Sequence, residues 1–181
     1  NPYRPASEPA QWTVTEYDAL DRVTSVIAPG TAETTTEHLA DTATVTDPAG
    51  KSRRSRVDAL GRLVEVVEDP GGLDQLTSYG YDVLDNLEEV GTNHLPPQVR
   101  RFDYDSLSRL TLAVNAESGT ATYTYDANGN PREKRDARGI VTTYDHDALD
   151  RLRTVTYTNE LPGSETPDVT NSYHVPAVPL S

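Results

Sequence analysis

The chain contains no cysteine and no methionine, and only one tryptophan and one phenylalanine among 181 residues. Without cysteine there is no disulfide scaffold, no thiolate metal site and no thiol nucleophile. A reading frame begins with methionine, so the sequence is expected to be a processed or excised piece of a longer one. Cationic residues are also scarce. Sixteen Lys and Arg against 29 Asp and Glu leave a net charge of −13 and a pI near 4.6. Phosphate backbones and acidic membrane surfaces recruit cationic patches, so nucleic acid is not an expected partner. No apolar run approaches the roughly 18 residues of a membrane span, and no signal peptide is legible, so membrane insertion is not expected. Nor does any segment hold a 3.6-residue period over three turns, and little helix is expected.

What the chain does have is ten tyrosines and one short phrase that recurs along its length. The fullest copies are Tyr17-Asp18-Ala19-Leu20-Asp21-Arg22-Val23 and His146-Asp147-Ala148-Leu149-Asp150-Arg151-Leu152. Between them stand Val57-Asp58-Ala59-Leu60-Gly61-Arg62-Leu63, Tyr81-Asp82-Val83-Leu84-Asp85-Asn86-Leu87 and Tyr104-Asp105-Ser106-Leu107-Ser108-Arg109-Leu110. Looser copies are Tyr125-Asp126-Ala127-Asn128-Gly129-Asn130-Pro131 and Arg135-Asp136-Ala137-Arg138-Gly139-Ile140. A degenerate site, Thr46-Asp47-Pro48-Ala49-Gly50-Lys51, keeps only the aspartate and the turn residues. Repetition of this kind marks an architectural unit.

Each copy reads as strand, turn, strand. Alternation before the aspartate predicts that Tyr123 and Tyr125, Phe102 and Tyr104, and Tyr79 and Tyr81 share sheet faces. The aspartate opens the turn because its carboxylate accepts a backbone amide two residues on. Position five is Gly, Asp or Ser, and Gly or Asp there tolerates positive φ. The arginine four residues beyond the aspartate starts the return strand and is placed to pair with it in Asp18–Arg22, Asp58–Arg62, Asp105–Arg109 and Asp147–Arg151. An exposed pair contributes little, so the aromatic is the expected anchor. If Tyr125 is buried, its replacement by alanine should cost about 3–5 kcal/mol. The intervals agree: Asp126 to Asp136 is 10 residues, and Asp136 to Asp147 and Asp47 to Asp58 are 11, one strand plus one turn of an antiparallel meander. Asp58 to Asp82, Asp82 to Asp105 and Asp105 to Asp126 are about twice as long, hairpins whose far turn lacks the phrase.

Tyr-Asp-x-x-Gly-Arg-Leu at this interval, from about residue 12 to residue 157, resembles the RHS repeat, also called the YD repeat. The departures, Val57 and Arg135 for tyrosine and Asn86, Asn130 and Ile140 for or near the arginine, are expected to weaken single rungs. The resemblance implies an all-β fold: an antiparallel meander of YD-repeat hairpins in one continuous, curved and spiralling sheet, part of a shell. In toxin-delivery relatives such a shell encloses a C-terminal toxic domain, and in eukaryotic cell-surface relatives it is a barrel in an adhesion receptor. A chain of this length would supply a turn of wall or less. The expected organisation is an extended lead-in at 1–10, a YD-repeat sheet at 11–157 and a proline-rich C-terminal segment at 158–181 with at most one strand, near 168–175. Within the sheet, strands are expected on either side of a loop near His38-Leu39-Ala40-Asp41, and a non-strand loop at Asn93-His94-Leu95-Pro96-Pro97.

Candidate chemistry is thin. Asp126-Ala127-Asn128-Gly129-Asn130 begins like a calcium loop, but Pro131 stands where glycine is needed and Ala137 where glutamate is needed. Ala49-Gly50-Lys51-Ser52 ends like a phosphate loop, yet Val45 replaces its first glycine. His38, His94, His146 and His174 are far apart and read as surface or turn histidines. Asp69-Pro70-Gly71-Gly72-Leu73 has the letters of the self-cleavage segment that ends many RHS proteins, but it lies between repeats and reads as a turn. The basic cluster Lys51 to Arg56 is a docking patch for an acidic partner or, preferred here, strand side chains facing acidic neighbours.

No catalytic residue, cofactor or metal is expected. Three functions stay open. The first is a non-enzymatic wall segment of a secreted or cell-surface protein, partnered by other RHS repeats and an enclosed toxin domain. The second is an adhesion module binding surface glycan or protein. The third is a subunit that self-assembles with further copies through unpaired strand edges.

Overall fold

A computed structural model describes residues 12–158 and 165–173. Fifteen strands follow one another in the sheet in the order of the sequence. They are β1 (Val14–Tyr17), β2 (Val23–Ile27), β3 (Glu33–Leu39), β4 (Thr42–Thr46), β5 (Ser52–Val57), β6 (Leu63–Glu68), β7 (Gln75–Tyr81), β8 (Leu87–Thr92), β9 (Gln98–Tyr104), β10 (Leu110–Asn115), β11 (Gly119–Tyr125), β12 (Pro131–Arg135), β13 (Val141–His146), β14 (Leu152–Thr158) and β15 (Val169–Thr170). Among the described residues there is no helix. The chain forms two compact units, Asn1–Gly80 with Glu89–Gln98, and Tyr81–Glu88 with Val99–Ser181. The expected lead-in at 1–10 lies outside the described residues, as does His174; β15 falls inside the interval 168–175.

In the first unit β1 to β7 pair antiparallel in series. Its best-covered side chains are Val66 and Val67, consecutive residues of β6 and therefore on opposite faces of the sheet. Val66 stands between Ser55 and Thr77, and Val67 between Arg54 and Leu76. Ser25, the buried polar residue, donates its hydroxyl to Glu33 Oε1 at 2.8 Å. Past the Asp69 turn, Asn93 bonds to Leu76 in both directions, accepting its amide at 2.8 Å and donating its own at 3.1 Å, and its side-chain amide donates to the Asp74 carbonyl at 2.9 Å. The 93–97 segment is thus a loop that still anchors the sheet. The Asp69 segment is a turn, with φ of 52° at Asp69 and the Gly72 amide on its carbonyl at 2.9 Å.

In the second unit β9 to β15 also pair antiparallel in series. β9 and β11 alternate half-buried and exposed along their length, which puts Phe102 with Tyr104, and Tyr123 with Tyr125, on covered faces. Ala113 is buried between Phe102 and Ala121, a small side chain beside a large one. Val155 is buried between Tyr144 and Val169. Turns approach closely at Gly119: a Cβ built there would lie 2.5 Å from the Ala137 Cβ, and its φ is +77°. Gly119→Ala is therefore expected to cost about 1–3 kcal/mol from left-handed backbone strain, with the clash added. A thermal melt checks it, and an unchanged midpoint would mean that position 119 takes a side chain with neither backbone strain nor a clash with Ala137.

The strands differ from expectation in two places. His38 was expected in a loop; β3 runs through Leu39, and His38 is a half-buried strand residue. Only Ala40 and Asp41 make the turn, with Ala40 at φ 52° and the Thr42 hydroxyl on the Leu39 carbonyl at 2.7 Å. Tyr17 was expected as a buried anchor and is 59% exposed. A strand tyrosine is covered by side chains on the strands at either side, and β1 has a described neighbour on one side only.

Candidate functional site

Every copy of the phrase builds the same turn. The aspartate's Oδ1 accepts the amide two residues on and the amide four residues on, at 2.8 and 3.0 Å for Asp18, 2.9 and 3.0 Å for Asp58, and 2.9 and 3.1 Å for Asp147. Asp47, Asp82, Asp105, Asp126 and Asp136 do likewise. The backbone closes around it: the aspartate amide donates to the carbonyl four residues on, and the amide three residues on donates back to the aspartate carbonyl. That third residue is left-handed in all eight, with φ 59° at Asp21, 81° at Gly61, 67° at Asp85, 60° at Ser108, 93° at Gly129, 86° at Gly139, 59° at Asp150 and 80° at Gly50. A left-handed residue closing such a loop produces a bulge where the return strand begins. The register shifts there, so Tyr17 faces Val23, Val57 faces Leu63, Tyr104 faces Leu110, Tyr125 faces Pro131 and His146 faces Leu152.

The remaining carboxylate oxygen takes the arginine. Arg22 Nε and Nη2 both lie 2.7 Å from Asp18 Oδ2, Arg109 repeats those distances on Asp105, and Arg62 Nε is 2.7 Å from Asp58. Arg151 Nε and Nη2 lie 2.8 and 2.6 Å from Asp147. Asn86 and Asn130, expected to weaken their rungs, donate to the same oxygen of Asp82 and Asp126 at 2.8 and 3.1 Å, because a side-chain amide reaches as the guanidinium does. In the Asp136 turn, Ile140 holds the arginine position and Arg138 pairs from the other side at 2.7 Å.

These donors hold the carboxylates charged. Asp18 is lowered to about 2, chiefly by the Arg22 backbone amide and then its side chain, and Asp147 to about 2, chiefly by the Arg151 side chain. Asp58, Asp105, Asp126 and Asp136 are lowered by the same kinds of donor. A carboxylate with a depressed folded-state pKa stabilises fully above its unfolded value, 3.8 here, and loses that contribution as pH falls through about 2. The melting temperature is expected to hold down to about pH 4 and then fall toward pH 2. Asp105→Asn keeps an acceptor but cannot titrate, and should flatten part of that fall. A melting temperature independent of pH over this window would remove the role given to the carboxylates.

Successive turns on one edge are also tied sideways. Tyr125 Oη donates to the Leu110 carbonyl at 2.9 Å while Arg109 lies over its ring at 4.7 Å. Tyr173 repeats this four strands further on, donating to the Leu152 carbonyl at 2.8 Å with Arg151 at 4.4 Å. In the first unit His38 Nε2 takes the place of the tyrosine, donating to the Val23 carbonyl at 3.0 Å, which puts its proton on Nε2. The acceptor in all three is the residue after the turn arginine. Asn128 and Asn130 donate to Asp150 Oδ1 at 2.9 and 2.8 Å, fastening the 126–130 turn to the 147–151 turn. Sequence reasoning missed His38 and Tyr173 in this role; counting two strands onward from each arginine would have found them. Leucine tips crown the same edge in each unit: Leu20 and Leu60 in the first, and Leu84, Leu107 and Leu149 in the second, all exposed. On the opposite edge the equivalent positions are Ala49 and Arg138, in turns with the same hydrogen bonds, so the turn itself does not require leucine. Arg53 and Arg56 of the basic cluster pair with Glu68 at 3.0 Å and Glu65 at 3.3 Å, the preferred of the two expectations for it.

Residues 125–160 match the family model of the RHS Repeat. This chain carries an RHS repeat. The matched RHS repeat opens at Tyr125 and takes in the Asp126, Asp136 and Asp147 turns, whose hydrogen bonds recur at Asp18, Asp47, Asp58, Asp82 and Asp105. No curated protein matches the chain. Among solved structures, the fold is similar to TcdB2–TccC3–Cdc42, with TM-score 0.69 and 16% identity over 87% of this chain and 9% of that one. It is also similar to TcdB2–TccC3, with TM-score 0.69 and 17% identity over 86% and 9%. A Tc holotoxin pore of Photorhabdus luminescens with a mutated TccC3 gives TM-score 0.68 and 17% identity over 85% and 9%. The chain, with its RHS repeat at 125–160, therefore spans about 9% of the length of the chains it resembles.

Proposed function

We propose that this chain is a non-enzymatic wall segment of a secreted or cell-surface RHS protein, and that the wall encloses a toxin domain of the same protein. The observation that carries this proposal is the lateral tie between turns. A hairpin alone is marginal in water, and an open meander exposes both its edges. Here each unit fastens turn to turn between neighbouring strands, through His38 on Val23, Tyr125 on Leu110 and Tyr173 on Leu152. Such a tie extends with every added repeat, so strength grows by length rather than by a central core. The exposed leucines give the wall an apolar rim against which adjoining RHS repeats can rest. Likeness in fold to structures of Tc toxin complexes supports the enclosed cargo.

Protease protection in the parent protein tests this. A segment outside the repeats should survive trypsin while the sheet is intact and become cleavable once Leu60→Asp and Leu107→Asp open the rim. Immediate digestion of every non-repeat segment in the native parent would reject enclosure.

A further inference from the structure

Among the Asp turns of the leucine rim, the 126–130 turn differs from its relatives. Where Leu20, Leu60, Leu84, Leu107 and Leu149 stand two residues after the aspartate, it has Asn128, followed by Gly129 in the only Asn-Gly pair of the chain. Asn128 is exposed and helps line a groove of about 460 Å³ together with Asp126, Asp147 and Asp150. In most sequences the side chain after an asparagine obstructs approach of the backbone nitrogen to the amide carbon. Gly129 has none, and the nearest atom to where its Cβ would lie is Arg109 Nη1 at 3.8 Å. Its amide donates to the Asp126 carbonyl at 3.2 Å, toward the long end of the 2.9–3.3 Å spanned by the equivalent bonds of the eight turns.

We propose that Asn128 is a spontaneous deamidation site, and that its conversion loosens the fastening of the 126–130 turn to the 147–151 turn. The Gly129 nitrogen gives up its proton and bonds to Asn128 Cγ. The Cγ–Nδ2 bond breaks, and Nδ2 leaves as ammonia carrying that proton, closing a succinimide. Water then opens the imide at either carbonyl, giving aspartate or isoaspartate. No oxidant, metal or second protein is needed. The product replaces an amide donor by a carboxylate facing Asp150 Oδ1, which had accepted from Asn128 Nδ2 at 2.9 Å, so a hydrogen bond becomes a like-charge contact. Asn130 alone then holds Asp150. Isoaspartate also lengthens the main chain between the Asn128 and Asn130 amides that Asp126 Oδ1 cradles at 2.9 Å each. Its charge matters only locally: a chain at −13 gains one more negative charge.

The experiment incubates the whole chain at neutral and mildly alkaline pH and follows each asparagine by peptide mass mapping that separates aspartate from isoaspartate. Asn128 is expected to convert severalfold faster than Asn86, Asn115 or Asn171, and faster still as hydroxide rises. A rate at Asn128 no greater than at those sites would overturn the modification. The loosening is read by amide hydrogen exchange at residues 148–151, which should quicken severalfold in Asn128→Asp and less in Asn128→Leu, the rim's usual residue. Equal exchange in wild type, Asn128→Asp and Asn128→Leu would overturn it, and so would a charge-independent change identical in the two variants.

Discussion

Replacing Val66 with aspartate is expected to unfold the β6 region of the first unit, a loss of more than about 4 kcal/mol. Among the described residues only Val66, Val67, Ala113 and Val155 are buried apolar side chains, and Val66 at 3% exposure is the most enclosed. A carboxylate there loses its water and finds no cation in register, since its partners across the strands are Ser55 and Thr77. The nearby acids Glu65 and Glu68 are already paired with Arg56 and Arg53, so those arginines are not free to neutralise it. Val66→Ala removes two methyl-sized groups and should cost about 1–2 kcal/mol, which separates lost packing from buried charge. Val67→Asp is a weaker test, because Arg54 stands opposite and can neutralise it. Urea unfolding of the three variants checks the order. If Val66→Asp matched Val66→Ala, the face carrying Val66 would be open to water.

The second large effect belongs to Tyr125→Ala. Full burial would put its cost at about 3–5 kcal/mol, but Tyr125 is only half-buried, so its apolar part is worth about 1 kcal/mol. The hydroxyl donates to Leu110 at 2.9 Å and Arg109 covers the ring at 4.7 Å. A hydrogen bond of about 1 kcal/mol and a cation–π contact of about 0.5–1 kcal/mol bring the expected total to about 2–3 kcal/mol. Tyr125→Phe keeps the ring and should lose about 1 kcal/mol. Tyr17→Ala, at an exposed ring, should be close to silent. A Tyr125→Ala loss under about half a kcal/mol would show that the sideways tie is decorative.

Tyr17 and Tyr125 occupy the same place in the phrase and differ in consequence, which marks how far the chain can be read without coordinates. The turn was legible at Asp18, Asp58, Asp105 and Asp147 because all its hydrogen bonds lie within five residues. Whether a tyrosine is covered was not, because its cover comes from strands on either side. Asn86 and Asn130 looked like failures of the pattern, yet they meet the same carboxylate oxygen as arginine does; only the geometry shows that the position asks for a donor rather than for a charge.

By itself the sequence determined the phrase turns: an aspartate followed three places on by Gly, Asp or Ser closes within five residues, and the intervals of 10 and 11 residues between such turns leave room for one strand. Tertiary structure decided the ties between turns: His38 on Val23 and Tyr173 on Leu152 between neighbouring strands, and the asparagine pair on Asp150 across two. Those partners are 15 to 22 residues apart; counting strands marks the candidate positions, but whether they come within hydrogen-bond reach is set by register, bulge and twist.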